Sequence, residues 1–115
     1  MEKKIRVLLV DDNVNMINDL KQYFSSSKVV EVVGESYDGL DAYEKISSNN
    51  YDLVVMDVIL PKKDGLSVIE QTKKEKHCPK FIVTSGYNSL DVIKRAGELG
   101  VSYYMLKPFV FSDLE

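Results

Sequence analysis

The sequence predicts an α/β fold: a doubly wound, five-stranded parallel sheet with helices on both faces. Three observations carry this. The hydrophobic period switches repeatedly between strand-like runs and helical spacing. The runs Ile5–Val10, Leu53–Met56 and Phe81–Val83 are almost continuously apolar, as strands buried on both faces must be. The connections between runs are mostly short, which suits alternating strands and crossover helices.

The elements follow in order. Ile5–Val10 is the first strand, interrupted only by Arg6. Val14, Ile17, Leu20 and Phe24 then recur at helical spacing, with Asp12 or Asn13 as N-cap and Ser25-Ser26-Ser27 as the stop. Val29–Val33 is β-branched and reads as the second strand. Gly39–Ile46 reads as a helix with Leu40, Tyr43 and Ile46 on one side, and Ser48-Asn49-Asn50 is a loop. Leu53–Met56 is the third, central strand. The turn Pro61–Gly65 leads into a helix through Leu66, Ile69 and Thr72, whose charged end Lys73–Lys76 is solvated. Pro79 precedes the fourth strand, Phe81–Val83. A fourth helix carries Leu90, Ile93, Ala96 and Gly97 and closes near Gly100, before a fifth strand over Ser102–Leu106. Phe109–Glu115 reads as the start of a fifth helix, so that helix is expected to be incomplete within these residues.

Composition narrows the class of function. At 115 residues the chain is expected to form one domain, 1–115, large enough to bury a core without staples. Net charge is −3 and no basic face is apparent, which argues against direct nucleic-acid binding. No apolar stretch is long enough to span a bilayer and the N-terminus carries no signal core. One cysteine, Cys78, rules out an internal disulfide, and the expected location is cytoplasmic.

Ligands of open parallel sheets bind beyond the carboxyl ends of the strands. Asp11 and Asp12 follow the first strand, Asp57 the third and Lys107 the fifth. In the flavodoxin-like strand order 2-1-3-4-5, strands one and three are neighbours, so the three carboxylates converge. Their mutual repulsion is relieved by a hard divalent cation, and oxygen-only ligands suit Mg²⁺, with Mn²⁺ or Ca²⁺ able to substitute. Asp57 is the natural nucleophile, Asp11 and Asp12 hold the metal, and the Ile59 backbone carbonyl is a further candidate ligand. Lys107 offers a positive charge to an incoming anion and Ser85 a hydroxyl. Together these residues are suited to phosphoryl transfer onto an aspartate. Each has a plainer reading alone: Asp11-Asp12 as a helix cap, Asp57 as a turn residue, Lys107-Pro108 as a loop dipeptide. Their joint placement at strand ends favours a shared site.

The segments Val10-Asp11-Asp12-Asn13, Met56–Gly65, Thr84-Ser85-Gly86 and Leu106-Lys107-Pro108-Phe109 closely resemble the receiver domain of two-component response regulators. The resemblance spans essentially the whole chain. It implies Asp57 as phosphoacceptor, Asp11 and Asp12 as Mg²⁺ ligands, and Lys107 as the lysine that contacts phosphate. It further implies Ser85 as the switch hydroxyl, with Thr84 one step earlier in the strand, Tyr104 as the switch aromatic, and a cis Lys107-Pro108 peptide. The implied partners are a histidine kinase or histidine phosphotransfer protein, with a homodimer as a further option. Val33–Gly39 and Glu98–Leu106 are similar to the receivers of sporulation master regulators of spore-forming bacteria, which implies a C-terminal DNA-binding effector domain outside this chain. A stand-alone phosphorelay or docking receiver is the alternative.

Other classes fit less well. A haloacid-dehalogenase-type phosphatase needs an acid/base aspartate two residues after the nucleophile, where Ile59 stands. A flavin or nucleotide binder would offer amides and hydroxyls after strand one, where Asp11-Asp12 repel phosphate. His77 reads as a surface residue and Cys78 as an inert thiol.

Overall fold

A computed structural model describes residues 4–75, 78–86 and 90–107. Five parallel strands, β1 (Ile5–Val10), β2 (Val30–Ser36), β3 (Leu53–Asp57), β4 (Lys80–Ser85) and β5 (Tyr103–Leu106), form one sheet in the order β2-β1-β3-β4-β5. Four helices alternate with them: α1 (Val14–Phe24), α2 (Gly39–Ser48), α3 (Gly65–Thr72) and α4 (Leu90–Glu98). This is the flavodoxin-like arrangement that the alternation of periods predicts.

The period-2 alternation of the central strands divides the core in two. Leu8, Val10, Val54, Met56, Phe81 and Val83 face one way and pack with Ala42 and Ile46 of α2, Leu66 and Ile69 of α3, and Ala96 of α4. Val7, Leu9, Val55, Ile82 and Met105 face the other way and pack with Ile17, Leu20 and Phe24 of α1. Three helices begin on side-chain caps: Asn13 accepts from the Asn15 and Met16 amides, Asp38 from Asp41, and Asp64 from Ser67. Each such cap contributes about 1 kcal/mol.

Three local expectations are corrected, those for Leu40, Ser48 and the bounds of β2. Leu40 is not on the inner side of α2 but 49% exposed, and the buried line is Gly39, Ala42 and Ile46. Gly39 sits so close to the Lys63 backbone that the helix turns this line inward and Leu40 outward. Ser48 closes α2 rather than opening the loop. In α4 only Ala96 is buried, and Leu90, the first residue of the helix, is 82% exposed. β2 starts one residue later than expected and runs to Ser36.

The longer β2 includes a bulge. Val7 pairs with Val32 but Leu8 with Gly34, so Val33 is an additional residue. Before the bulge Val30 and Val32 pack on the α1 side. After it, Glu35 reaches Lys21 of α1 at 2.7 Å, and Ser36 Oγ donates to Asp41 of α2 at 2.6 Å. Without the additional residue these two side chains would exchange faces. A Cβ on Gly34 would fall 2.9 Å from the Tyr51 hydroxyl oxygen, so the bulge is built around a glycine. The expected fifth helix, Lys76, His77 and Pro108 lie outside the described residues.

Candidate functional site

The C-terminal edge of the sheet gathers the acidic residues. β1 and β3 are neighbours, so Asp11, directly after β1, and Asp57, the last residue of β3, come together. Both are buried, at 3% and 7% exposure, while Asp12 beside them is open to solvent. One carboxylate oxygen from each of Asp11, Asp12 and Asp57 lies within 4.8 Å of the other two.

Lys107 reaches this cluster from the far side of β4. Its amide donates to the Ser85 carbonyl at 2.8 Å, continuing the β4–β5 ladder by one residue. Its ammonium then donates to Asp11 Oδ2 and Asp57 Oδ2, both at 2.8 Å. The remaining oxygens are held locally: Asn13 N–H donates to Asp11 Oδ1 at 2.9 Å, and Ile59 N–H to Asp57 Oδ1 at 3.2 Å. Each buried carboxylate is thus gripped by the amide two residues on, a turn chemistry natural to aspartate, and by the shared lysine.

The electrostatics follow from burial. Loss of water pushes the Asp57 carboxyl above its ordinary value, and the charge of Asp11 pushes the same way; Lys107 opposes both without cancelling them. Burial presses the Lys107 ammonium toward its neutral form, but its bonds to Asp11 and Asp57 win and raise its pKa. One cation facing three carboxylates leaves negative charge in excess. The donor set fits a hard divalent cation: three carboxylate oxygens in reach of one another, with Asp12 on the solvent side.

The loop after Asp57 is tied down at its root. Val58 N–H donates to the Thr84 carbonyl at 3.0 Å, and Gly65 N–H to the Val58 carbonyl at 2.8 Å. Val58 and Leu60 are buried, while Ile59 between them is half exposed. Gly65 is a site residue that the motif reading treated only as a turn. A Cβ there would stand 2.3 Å from the Asp57 carbonyl oxygen. Asp64-Gly65 following Pro61 was the available signal: a cap and a residue without a side chain where a helix must start against a strand end.

The other expected site residues lie around this edge. Thr84 and the next residue, Ser85, are both buried; Thr84 pairs with Asp57 across β3 and β4, and Ser85 pairs with Leu106 across β4 and β5. Tyr104 pairs with Val83 and packs, half-buried, against the core on the α2–α4 side. Strand alternation puts Ser85 and Tyr104 on the same sheet face, as diagonal neighbours. Cys78 is half-buried, its thiol 3.5 Å from the Pro79 carbonyl oxygen, and away from the cluster. The Lys107-Pro108 peptide extends outside the described residues.

Solved structures share this arrangement of the chain. The signal receiver domain of NarL from Mycobacterium tuberculosis superposes with a TM-score of 0.91 at 25% identity, over 98% of this chain and 91% of that one. A CheY-like response regulator receiver domain protein from Methanospirillum hungatei gives 0.88 at 27% identity, over 97% and 88%. The receiver domain of the Francisella response regulator 1452 gives 0.87 at 27% identity, over 96% and 90%. Among the described residues, no helix is long and apolar enough to cross a membrane. The family model of the response regulator receiver domain matches residues 7–115, from the second half of β1 through the cluster and Lys107, and the chain therefore belongs to that family.

Proposed function

We propose that this receiver is an Mg²⁺-dependent switch in which Asp57 accepts a phosphoryl group from a phosphohistidine on a kinase or phosphotransfer protein. The observation that supports it best is the Lys107 ammonium held 2.8 Å from both Asp57 and Asp11, beside a third carboxylate. An Asp57 oxygen attacks phosphorus in line, the P–N bond breaks, and the imidazole leaves with the electron pair and takes up a proton. Asp57 arrives at this step oriented, since Ile59 N–H and Lys107 fix its two oxygens. Lys107 then exchanges its contact with the Asp57 carboxylate for one with a phosphoryl oxygen. Asp11, Asp12, Asp57 and the Ile59 carbonyl would hold the divalent cation, which when bound neutralises charge on the transferring group.

The acyl phosphate is read out by Ser85 and Tyr104. The Ser85 hydroxyl turns toward the new oxygens, and Tyr104, on the same face of the sheet, moves into the space released. This biases the surface of α4 and β5, a population shift driven by one local charge. The likeness of Val33–Gly39 and Glu98–Leu106 to sporulation-type receivers supports a transcriptional output through a DNA-binding domain joined after these residues, acting in the cytoplasm.

The test is intact-mass spectrometry after incubation with acetyl phosphate, with and without Mg²⁺, on wild type and Asp57→Asn. A single Mg²⁺-dependent phosphoryl adduct that Asp57→Asn abolishes is the expected result. A folded wild type that gains no adduct refutes the reading and leaves a docking domain.

A further inference from the structure

The loop that carries Ile59 away from Asp57 rests on the first residue of α2, at a point where only glycine fits. Gly39 N–H donates to the Pro61 carbonyl at 3.1 Å. A Cβ on Gly39 would stand 1.7 Å from the Lys63 carbonyl oxygen and 2.6 Å from its carbon, so the two backbones are in direct contact. Neither side of that contact is a flexible side chain able to swing away.

The turn pressed against Gly39 is itself unusual. Lys63 N–H donates back to the Pro61 carbonyl at 2.7 Å, and Lys62 between them has φ 69°, left-handed for a residue with a side chain. Such a conformation costs of order 1–3 kcal/mol and persists only where its surroundings impose it. Here the surroundings come from the N-terminal half of α2 and its cap. The Lys62 ammonium lies 3.8 Å from an oxygen of the cap residue Asp38, and the Lys63 ammonium lies 5.8 Å above the centre of the Tyr43 ring. The loop is therefore fixed at two places: at Val58, by Thr84 and Gly65, and at Pro61–Lys63, by α2. Between them Ile59 N–H donates to Asp57 Oδ1 at 3.2 Å and Leu60 is buried, so the Ile59 carbonyl is placed by these contacts together with the two attachments.

We infer that Gly39 is a positioning residue for the cation site: by seating the Pro61–Lys63 turn, it sets where the Ile59 carbonyl stands relative to Asp57. This rests on the proposed reading in which that carbonyl helps hold the divalent cation. It gives the second helix, which contributes no ligand, a direct hold on cation affinity.

The experiment measures Mg²⁺ affinity by titration calorimetry, and thermal stability in EDTA, for wild type, Gly39→Ala, Pro61→Gly and Gly34→Ala. Gly39→Ala drives the turn off its seat, and its Mg²⁺ affinity should fall about tenfold, as when a ligand's support is removed. Pro61→Gly keeps the carbonyl acceptor but loosens the turn without a clash, and should weaken Mg²⁺ in the same direction. Gly34→Ala crowds Tyr51 and Leu8 instead, and should lower stability with Mg²⁺ affinity unchanged. Wild-type affinity in Gly39→Ala and Pro61→Gly, or an equal loss of affinity in Gly34→Ala, overturns the inference. If Gly39→Ala does not fold, Pro61→Gly decides alone. A folded wild type that binds no Mg²⁺ instead refutes the cation reading on which the inference rests.

Discussion

The Asp57 carboxylate and the Lys107 ammonium, 50 positions apart in sequence, meet at 2.8 Å across the end of β4. The pair is unequal. Asp57 lies deep enough that burial outweighs its lysine and keeps its carboxyl above the ordinary value, whereas Lys107 retains some access to water. An ionised carboxylate at this position is therefore maintained at some expense to the fold, a relationship that stability measurements can read directly.

Asp57→Asn should leave the protein as stable as wild type at pH 7 or stabilise it by about 1 kcal/mol. The amide preserves the shape, removes a charge that burial disfavours, and leaves Lys107 its partner in Asp11. Urea denaturation of both proteins in EDTA checks this, and a clear loss of stability would contradict the proposed balance.

Lys107→Ala should act in the opposite sense, costing about 1–3 kcal/mol because it leaves two buried carboxylates facing each other without a cation. Mg²⁺ should then stabilise the variant more than it stabilises wild type, since it relieves a larger repulsion. Thermal melts with and without Mg²⁺ test both statements. An equal Mg²⁺ increment in the two proteins would count against a cation seated among Asp11, Asp12 and Asp57.

Asp64 gives the fold a pH dependence of its own. Burial, the largest single influence on its carboxyl, pushes the pKa up, but the Ser67 amide and hydroxyl, Arg95 and the Leu66 amide together bring it below the ordinary value. A folded-state pKa below the unfolded one adds stability that is complete above the ordinary carboxylate range and is lost as pH falls through the folded value. Asp64→Asn should therefore cost about 0.5–1 kcal/mol at pH 7, and this cost should shrink as pH falls through the folded value of Asp64. Denaturation curves of the two proteins across that interval should converge at the acid end; a constant offset would assign the loss to shape alone.

Gly65→Ala should cost about 3 kcal/mol or more, because its Cβ meets the Asp57 carbonyl oxygen at 2.3 Å and neither backbone has room to yield. Any protein that folds should also label more slowly with acetyl phosphate, since the last peptide of β3 must tilt to admit the methyl group. A folded variant with wild-type stability would show that α3 starts further from β3 than described.

Most of the sheet was legible because its strands are buried on both faces and leave continuous apolar runs, as in Leu53–Met56. The acidic cluster was legible because strand ends bring together residues that sequence separates. What could not be read depends on backbone contact rather than on side-chain chemistry. The seat of Lys63 on Gly39 leaves no trace in hydrophobic spacing, so the inner side of α2 was assigned one residue too far along, to Leu40. The length of β2 was underestimated because Gly34 and Glu35 look like a strand's end, when Gly34 is instead what lets the strand carry an additional residue past Tyr51.

That additional residue bears on how relatives of this chain are aligned. Gaps are normally confined to loops, on the assumption that a strand tolerates no change of length. In β2 the two halves obey opposite parity, joined at Val33 and Gly34. A relative lacking the bulge would need a one-residue gap inside the strand. An alignment that moved the gap into the following loop would set its outward residues against Ser36, whose hydroxyl bonds Asp41 and whose carbonyl receives the amide of Asp11. The resulting column would appear variable where the structure permits little change, and the support beneath the first acidic residue would be missed.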